Sequence, residues 1–382
     1  MKKLIALLLT LITILAIAPA CSINDTEVSV IWLNYSAERA LKGDCDQFQA
    51  TIADAFDRGA YIEKIDHVDY DAEGDPAKQL TLAESALENG CSALVVYATE
   101  ATPSVAIVKA AEAKEVSVTF ICESSLVALA IKVALAVPVL GSSYEKVAFV
   151  AVDTATLPEV LGAKIASDLL ADYDKFDRND DGEITYIAFD ATSLSLIPEI
   201  NKKLVEAGKK EIKMVSVTAI TEGWTDAGEP PYELILTGNN DLVVELLLAL
   251  REKDFNYKKL VTNFIPFYTV GIEANARDLL INERLGDKIK EENLDAEGIQ
   301  AEIDKIKNFD KELAAYSVMN AIDSGYISAA GLVDDDAVAL ATAAIVRNFI
   351  KGNEMMKGVE ESYISEDAKD VVLVPYTIYP NA

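Results

Sequence analysis

The sequence predicts an α/β protein built as two doubly wound, parallel-sheet lobes. Three observations predict it. Apolar, β-branched runs alternate with helical patterns, the rhythm of a parallel sheet covered on both faces. That rhythm breaks at an apolar stretch near residues 126–141 and then restarts, and 382 residues suit two domains better than one. A hydrophobic fraction of 51% with 25% charged residues supplies sizeable cores and excludes an acidic disordered chain.

Taken in order, residues 27–33 (EVSVIWL) read as the first strand, 45–58 as a helix, 61–66 as the second strand, and 77–89 as a helix stopped by Gly90. Residues 92–97, 103–113 and 116–122 continue the alternation as strand, helix and strand. After the break come a strand at 146–152, a helix at 158–173, a strand at 183–189 and a helix at 196–207 closed by Gly208. Segments 213–220, 233–237 and 260–263 read as further strands, with a helix at 242–252. Residues 277–311 are charged and helical, most simply a solvated insertion. In doubly wound sheets a ligand binds beyond the strand carboxyl ends.

The charge narrows the partners. With 34 basic and 63 acidic residues the formal charge is −29 and the pI about 4.4. Phosphate backbones need clustered Lys and Arg, so nucleic acid is excluded as a partner.

Residues 1–20 have the pattern of a secretory signal peptide: Lys2 and Lys3, an apolar run from Leu4 to Ala18, then small residues. Ala18-Pro19-Ala20-Cys21 is similar to the box in which a bacterial lipoprotein's cysteine is lipidated and becomes the first residue; plain secretion after Ala20 is the other reading. The stretch 126–141 is interrupted by Lys132 and Pro138 and is too short to cross a bilayer. The body is therefore expected outside the cytoplasmic membrane, periplasmic or at the cell surface, and tethered through Cys21.

Besides Cys21 there are Cys45, Cys91 and Cys122, which allow at most one bridge among three possible pairs. No CxxC is present and His67 is the only histidine, so zinc sites and Ser-His or Cys-His catalysis are poorly supplied. No enzyme is expected.

The strongest chemical signal is residues 177–185, DRNDDGEIT. Asp177, Asn179 and Asp181 place hard oxygen donors at loop positions 1, 3 and 5, and Gly182 permits the sharp turn; Glu183 offers its backbone carbonyl and Thr185 its hydroxyl or a water. That is the pattern by which a short segment collects oxygens around Ca2+. Position 12, where an EF-hand supplies a bidentate Glu, is Ala188, so the missing carboxylate must come from elsewhere.

A calcium loop between a helix and a strand is where the chain resembles the galactose/glucose-binding proteins, type I periplasmic solute-binding proteins of ABC importers and chemoreceptors. DKFDRNDDGEITYIAF is similar to that family's loop and following strand, LVEAGKKEIKMVSVTAITEGWTDAG to its helix, strand and tryptophan segment, and PYELILTGNNDLVVELLLAL to its strand with the Asn-Asp pair. DVVLVPYTIYP is similar to the last crossing between lobes, and ALENGCSALVVYATEA is a weaker upstream match. The resemblance implies that Glu233 is the distant bidentate Ca2+ ligand, that Trp224 stacks on a sugar ring and that Asn240 hydrogen-bonds to it. Trp224 is equally placed to be a core or hinge aromatic. Other expected sugar-site residues are replaced: Ala37 and Arg39 stand at the first-strand turn, Tyr97 in place of an asparagine, Phe264 in place of an aspartate, and Val333 near a lost asparagine. Only 12 residues separate Ile220 from Glu233, and GWTDAGEPP leaves no room for the family's crossover helix.

The resemblance implies lobe one at 27–123 plus 335–375 and lobe two at 126–332 plus 377–382, with crossings at 122–126, 332–336 and 374–378. The expected function is a monomeric, lipid-anchored binding protein for a monosaccharide or related solute, with structural Ca2+, serving an ABC permease or chemoreceptor. The alternative is a divergent homologue whose cleft takes a different ligand or none, acting as a receptor or interaction protein.

Overall fold

The computed structural model describes residues 27–32, 52, 55–56, 65–98, 100–122, 124–137, 144–217, 220, 222–225, 229–238, 241–251, 253, 255–256, 263–271, 321–322 and 325–380. The leader at 1–20, Cys21, Ala37, Arg39, Cys45, Asn240 and the insertion at 277–311 lie outside these residues.

The first described elements are β1 (Glu27–Trp32), β2 (Asp66–Asp71), helix α1 (Pro76–Glu88), β3 (Ala93–Ala98), α2 (Ala101–Glu112), β4 (Ser117–Cys122), α3 (Ser125–Leu135) and β5 (Val147–Asp153). A π turn at Pro158–Gly162 leads into α4 (Ala163–Ala171), followed by β6 (Thr185–Ala188), α5 (Ile197–Glu206), β7 (Lys213–Met214), β8 (Leu234–Thr237), α6 (Asp241–Arg251) and β9 (Phe267–Gly271). The chain ends with β10 (Ala329–Val333), α7 (Asp335–Lys351) and β11 (Val371–Tyr379).

Local chemistry sets the helix ends. Asp75 caps α1 by accepting from the Ala77 amide at 2.8 Å, with Pro76 at the first helical position. Asp334 caps α7 by accepting from the Ala337 amide at 2.9 Å, and Gly352 closes that helix in the left-handed region at φ 65°.

The strands form one continuous order, β2-β1-β3-β4-β5-β11-β10-β9-β8-β6-β7. All neighbours are parallel except β10 and β11. Strand β11 serves two sheets. Its first half, Val371 to Pro375, runs parallel to β5, and its second half, Tyr376 to Tyr379, runs antiparallel to β10. The first sheet is covered on both faces, because alternate residues of each strand enter opposite cores. In β3, Ala93 and Val95 join α7 on one side, while Leu94, Val96 and Ala98 join α1, α2 and α3 on the other. The second sheet is built the same way, Ile235 facing one core and Leu234 and Leu236 the other.

Three expected strands differ in their described parts. Of the strand expected at 61–66, residues 61–64 lie outside the described residues; the described strand runs Asp66–Asp71, with Glu27 opposite Asp66, and DHVDYD is a polar edge strand with no apolar run to mark it. Of the strand expected at 260–263, residues 260–262 lie outside the described residues; a strand follows at Phe267–Gly271, paired with β8 and β10. Phe264 precedes β9. Among the described residues of segment 213–220, Lys213 and Met214 pair, at the edge beside β6.

The boundary expected at residue 126 does not coincide with the break between the sheets. Strand β5 bonds to β4 and β11, and α3 packs its Ala128 and Ile131 into the same core, so α3 and β5 belong with the first sheet. The chain first enters the second sheet after Asp153. Residues 126–135 of the apolar stretch that looked like a boundary form helix α3.

Candidate metal centre and strand-end cleft

The register of β11 places the strand ends. Asp153, the last residue of β5, is opposite Pro375, and Val333, the last of β10, is opposite the next residue, Tyr376. The parallel strands of both sheets therefore direct their carboxyl ends at one seam, the middle of β11. The seam is pinned by side chains. The Tyr376 amide donates to Thr156 Oγ1 at 3.1 Å, Thr156 Oγ1 donates to the Asp153 carbonyl at 2.7 Å, and Thr377 Oγ1 donates to the Leu332 carbonyl at 3.3 Å.

In the first sheet, Trp32 and Tyr97 reach the carboxyl ends of β1 and β3 with ring centroids 6.0 Å apart, and the Trp32 indole N–H donates to Asp69 Oδ1 at 2.8 Å. The sequence hid this aromatic pair, because Trp32 reads as one more apolar residue of a strand. In the second sheet Asp190 follows β6. Its Oδ1 accepts from the Ser193 amide at 2.8 Å, and its Oδ2 from the Gly238 amide at 2.6 Å and from Thr237 Oγ1 at 3.3 Å, joining the ends of β6 and β8. A Cβ on Gly238 would lie 2.4 Å from both Asp190 Oδ1 and Thr192 Cβ, so this approach requires glycine. Asp190 was not singled out from sequence, although an Asp immediately before a helix is a capping signal, and it caps the short helix Ala191–Ser195.

Trp224 is half-buried and tied to the protein. Its N–H donates to the Ile220 carbonyl at 2.9 Å and to the Tyr232 hydroxyl at 3.3 Å, and its ring meets Tyr232 and Phe255 edge-on at 6.4 and 5.0 Å. The described residues between β7 and β8 contain no helix.

The loop 177–185 closes on itself and on Glu233. Asp177, 7% exposed, accepts from the Asp181 amide at 3.1 Å and the Gly182 amide at 2.7 Å. Asn179 Oδ1 accepts from the Asp181 amide at 3.1 Å, and Asp181 Oδ1 from the Glu183 amide at 2.8 Å. Asp180 at φ 57° and Gly182 at φ 72° make the turn. Glu233, 4% exposed and 48 residues after Thr185, accepts from the Arg178 amide at 2.7 Å, the Thr185 amide at 2.9 Å and Thr185 Oγ1 at 3.1 Å. The parallel pairing of β6 with β8 brings it there.

The electrostatics are anionic. Among the described residues no ion pair involves Asp177, Asp181 or Glu233; the pair at this loop joins Glu183 to Lys213 at 3.3 Å. Burial lowers the Arg178 guanidinium's pKa, with Glu233 opposing, and Arg178 donates to the Tyr232 carbonyl. Burial raises the Tyr173 phenol, and Asp177, Glu233, Asp181 and Glu183 raise it further. Among the described residues no three His, Cys, Asp or Glu side chains converge closely enough to enclose a metal ion as they stand. The donor set is still the hard, all-oxygen kind that suits Ca2+, with two buried carboxylates whose bonds come from amides and a hydroxyl and leave lone pairs over.

No family model matches the sequence, and no curated protein does. Solved structures do. The periplasmic binding protein component of the arabinose ABC transporter from Shewanella sp. ANA-3 superposes with a TM-score of 0.52 at 13% identity, over 93% of this chain and 91% of that one. A galactofuranose binding protein matches at 0.51 and 11%, over 92% and 94%. A sugar ABC transporter protein from Yersinia enterocolitica matches at 0.50 and 12%, over 94% and 83%. The chain thus has the fold of the type I periplasmic binding proteins. Among the described residues no helix is long and apolar enough to cross a membrane.

Proposed function

We propose that this chain is an extracytoplasmic solute-binding protein that takes a sugar or sugar-like solute between its two sheets and presents it to an ABC permease or a chemoreceptor. The observation that carries the reading is the meeting of both sets of strand carboxyl ends at Pro375 and Tyr376. A ligand at that seam touches both halves, so it stabilises whichever arrangement brings them together, and a partner reads that arrangement. Binding needs no covalent step, in keeping with the absence from the sequence of an evident activated nucleophile or base. The lobes are proposed as 27–153 with 335–375, and 154–333 with 376–380. Tyr97 and Asp190 are offered as the residues nearest the solute's end of each sheet, with Trp224 and Asn240 as contacts suggested by resemblance. Lipidation at Cys21, six residues before β1, would tether the protein to the membrane.

The metal site is proposed as structural Ca2+ held by Asp177, Asn179, Asp181, Glu183, Thr185 and Glu233. The ion would supply positive charge against carboxylates buried together. Their bonds already orient them: Glu233 joins the loop's start to β6, and Asp177 holds the turn at Gly182.

Titration of the purified protein with a panel of monosaccharides, followed by tryptophan fluorescence, tests the ligand; a saturable change is expected. Silence toward every sugar at millimolar concentration would eliminate the sugar reading and favour a different solute, in line with the apolar Tyr97 and Val333 at strand ends. Chelation is expected to lower Tm, and added Ca2+, not Mg2+, to restore it. An unchanged Tm removes the metal assignment.

A further inference from the structure

Helix α3 presents a surface that the proposed function does not use. Along residues 125–137 the exposed positions are Leu126, Leu129, Ala130, Val133, Ala136 and Val137, all apolar. Leu126 is 70% exposed, Leu129 57%, Val133 59% and Val137 38%. The neighbouring helices on the same face of the sheet behave ordinarily, with Glu84 and Glu88 outermost on α1 and Lys109 and Glu112 on α2. A surface helix of a soluble domain normally turns polar residues outward, so a purely apolar outer face marks an interaction surface.

We infer that this face pairs with the same face of a second copy of the chain, the two α3 helices packing antiparallel about a two-fold axis. Three observations select that occupant. The spacing 126, 129, 133, 136 is that of the a and d positions of two heptads, the seam one helix offers another. The large residues, Leu126 and Leu129, occupy one half and the smaller Val133, Ala136 and Val137 the other. Antiparallel pairing therefore sets large against small, whereas parallel pairing stacks leucine on leucine. The charge also fits. In a chain of formal charge −29, the contacting helix itself carries no carboxylate, and its only charged residue, Lys132, turns aside to bond to Asp370 and stands 5.9 Å from the Phe149 ring. A bilayer fits less well, since the apolar stripe is one helix wide and lies beside the charged outer face of α2. The pairing departs from the monomer expected from sequence.

The test is sedimentation equilibrium of the purified chain with residues 1–21 removed, so that neither leader nor lipid contributes. The weight-average mass is expected to rise about 1.5-fold between about 1 and about 100 µM, as suits a small interface. The double variant Leu129→Glu/Val133→Glu, at exposed positions, should keep the circular dichroism of the native protein and stay monomeric throughout, while Glu112→Lys on α2 should dimerise as the parent does. Independently, Ala130→Cys in a Cys45→Ser background should form an intermolecular disulfide under mild oxidation, and Glu84→Cys should not. A constant monomer mass overturns the inference, as does a dimer indifferent to the double variant. Flotation of the parent, but not the double variant, with phosphatidylcholine vesicles while its mass stays monomeric overturns it in favour of a lipid surface. None of these readouts depends on sugar or Ca2+ binding.

Discussion

Glu233 concentrates the chemistry of the second sheet in one side chain. It is buried and accepts three hydrogen bonds, from Arg178 and from the amide and hydroxyl of Thr185. Glu233→Ala leaves those donors without an acceptor and is expected to cost about 2 to 4 kcal/mol in urea unfolding, even without metal. Gly238→Ala forces a methyl against Asp190 and Thr192 and should cost about 1 to 3 kcal/mol, with the loss falling in the same assay. Alkaline pH acts on two buried groups. Burial pushes the Cys91 thiol from 9.0 up to about 11 and the Tyr232 phenol from 10.0 up to about 12. Both stay neutral in the fold where the unfolded chain has begun to ionise, so the unfolded state binds fewer protons there. Their contribution is full below about pH 9 and is lost as pH rises toward about 12, so the urea midpoint should fall across that range. Cys91→Ala should flatten the first part of the fall. The loop residues of this site were legible because their spacing is local. Asp190 and Trp32 were not, because an Asp after a strand and a Trp within one acquire meaning only from the strands beside them.

At the level of elements, capping is the sharpest determinant. Asp334→Ala removes the acceptor for the Ala337 amide and should lower stability by about 1 kcal/mol, with the urea midpoint moving and the m-value unchanged. Asp75→Ala should do the same for α1. Elements with an apolar run or a cap, such as β3, β4, α1 and α5, sit within a residue or two of where their pattern places them. Strand β2 was not legible at Asp66–Asp71 because DHVDYD carries no alternation. It is a strand because β1 offers it a free edge, with pairing from Glu27 opposite Asp66 to Trp32 opposite Asp71. Helix α3 was read as a break between domains because its outer face is apolar where a helix face should be polar.

At the scale of the molecule, β11 is the strand that both sheets share. Deleting residues 371–380 takes the neighbour of β5 and of β10 together. The expected result is loss of any cooperative unfolding transition by circular dichroism; a truncated chain that still melts sharply would show that the sheets stand without it. The α/β class, the restarting rhythm of two doubly wound sheets, the acidic loop and the cores were readable from the chain alone, because periodicity, turn chemistry and composition are properties of short segments. It took the folded chain to show that β5 and α3 belong to the first sheet and that both sheets point their carboxyl ends at Pro375 and Tyr376. Those facts rest on which strand lies beside which, and pairing between segments far apart in the chain leaves no mark on the local pattern of either.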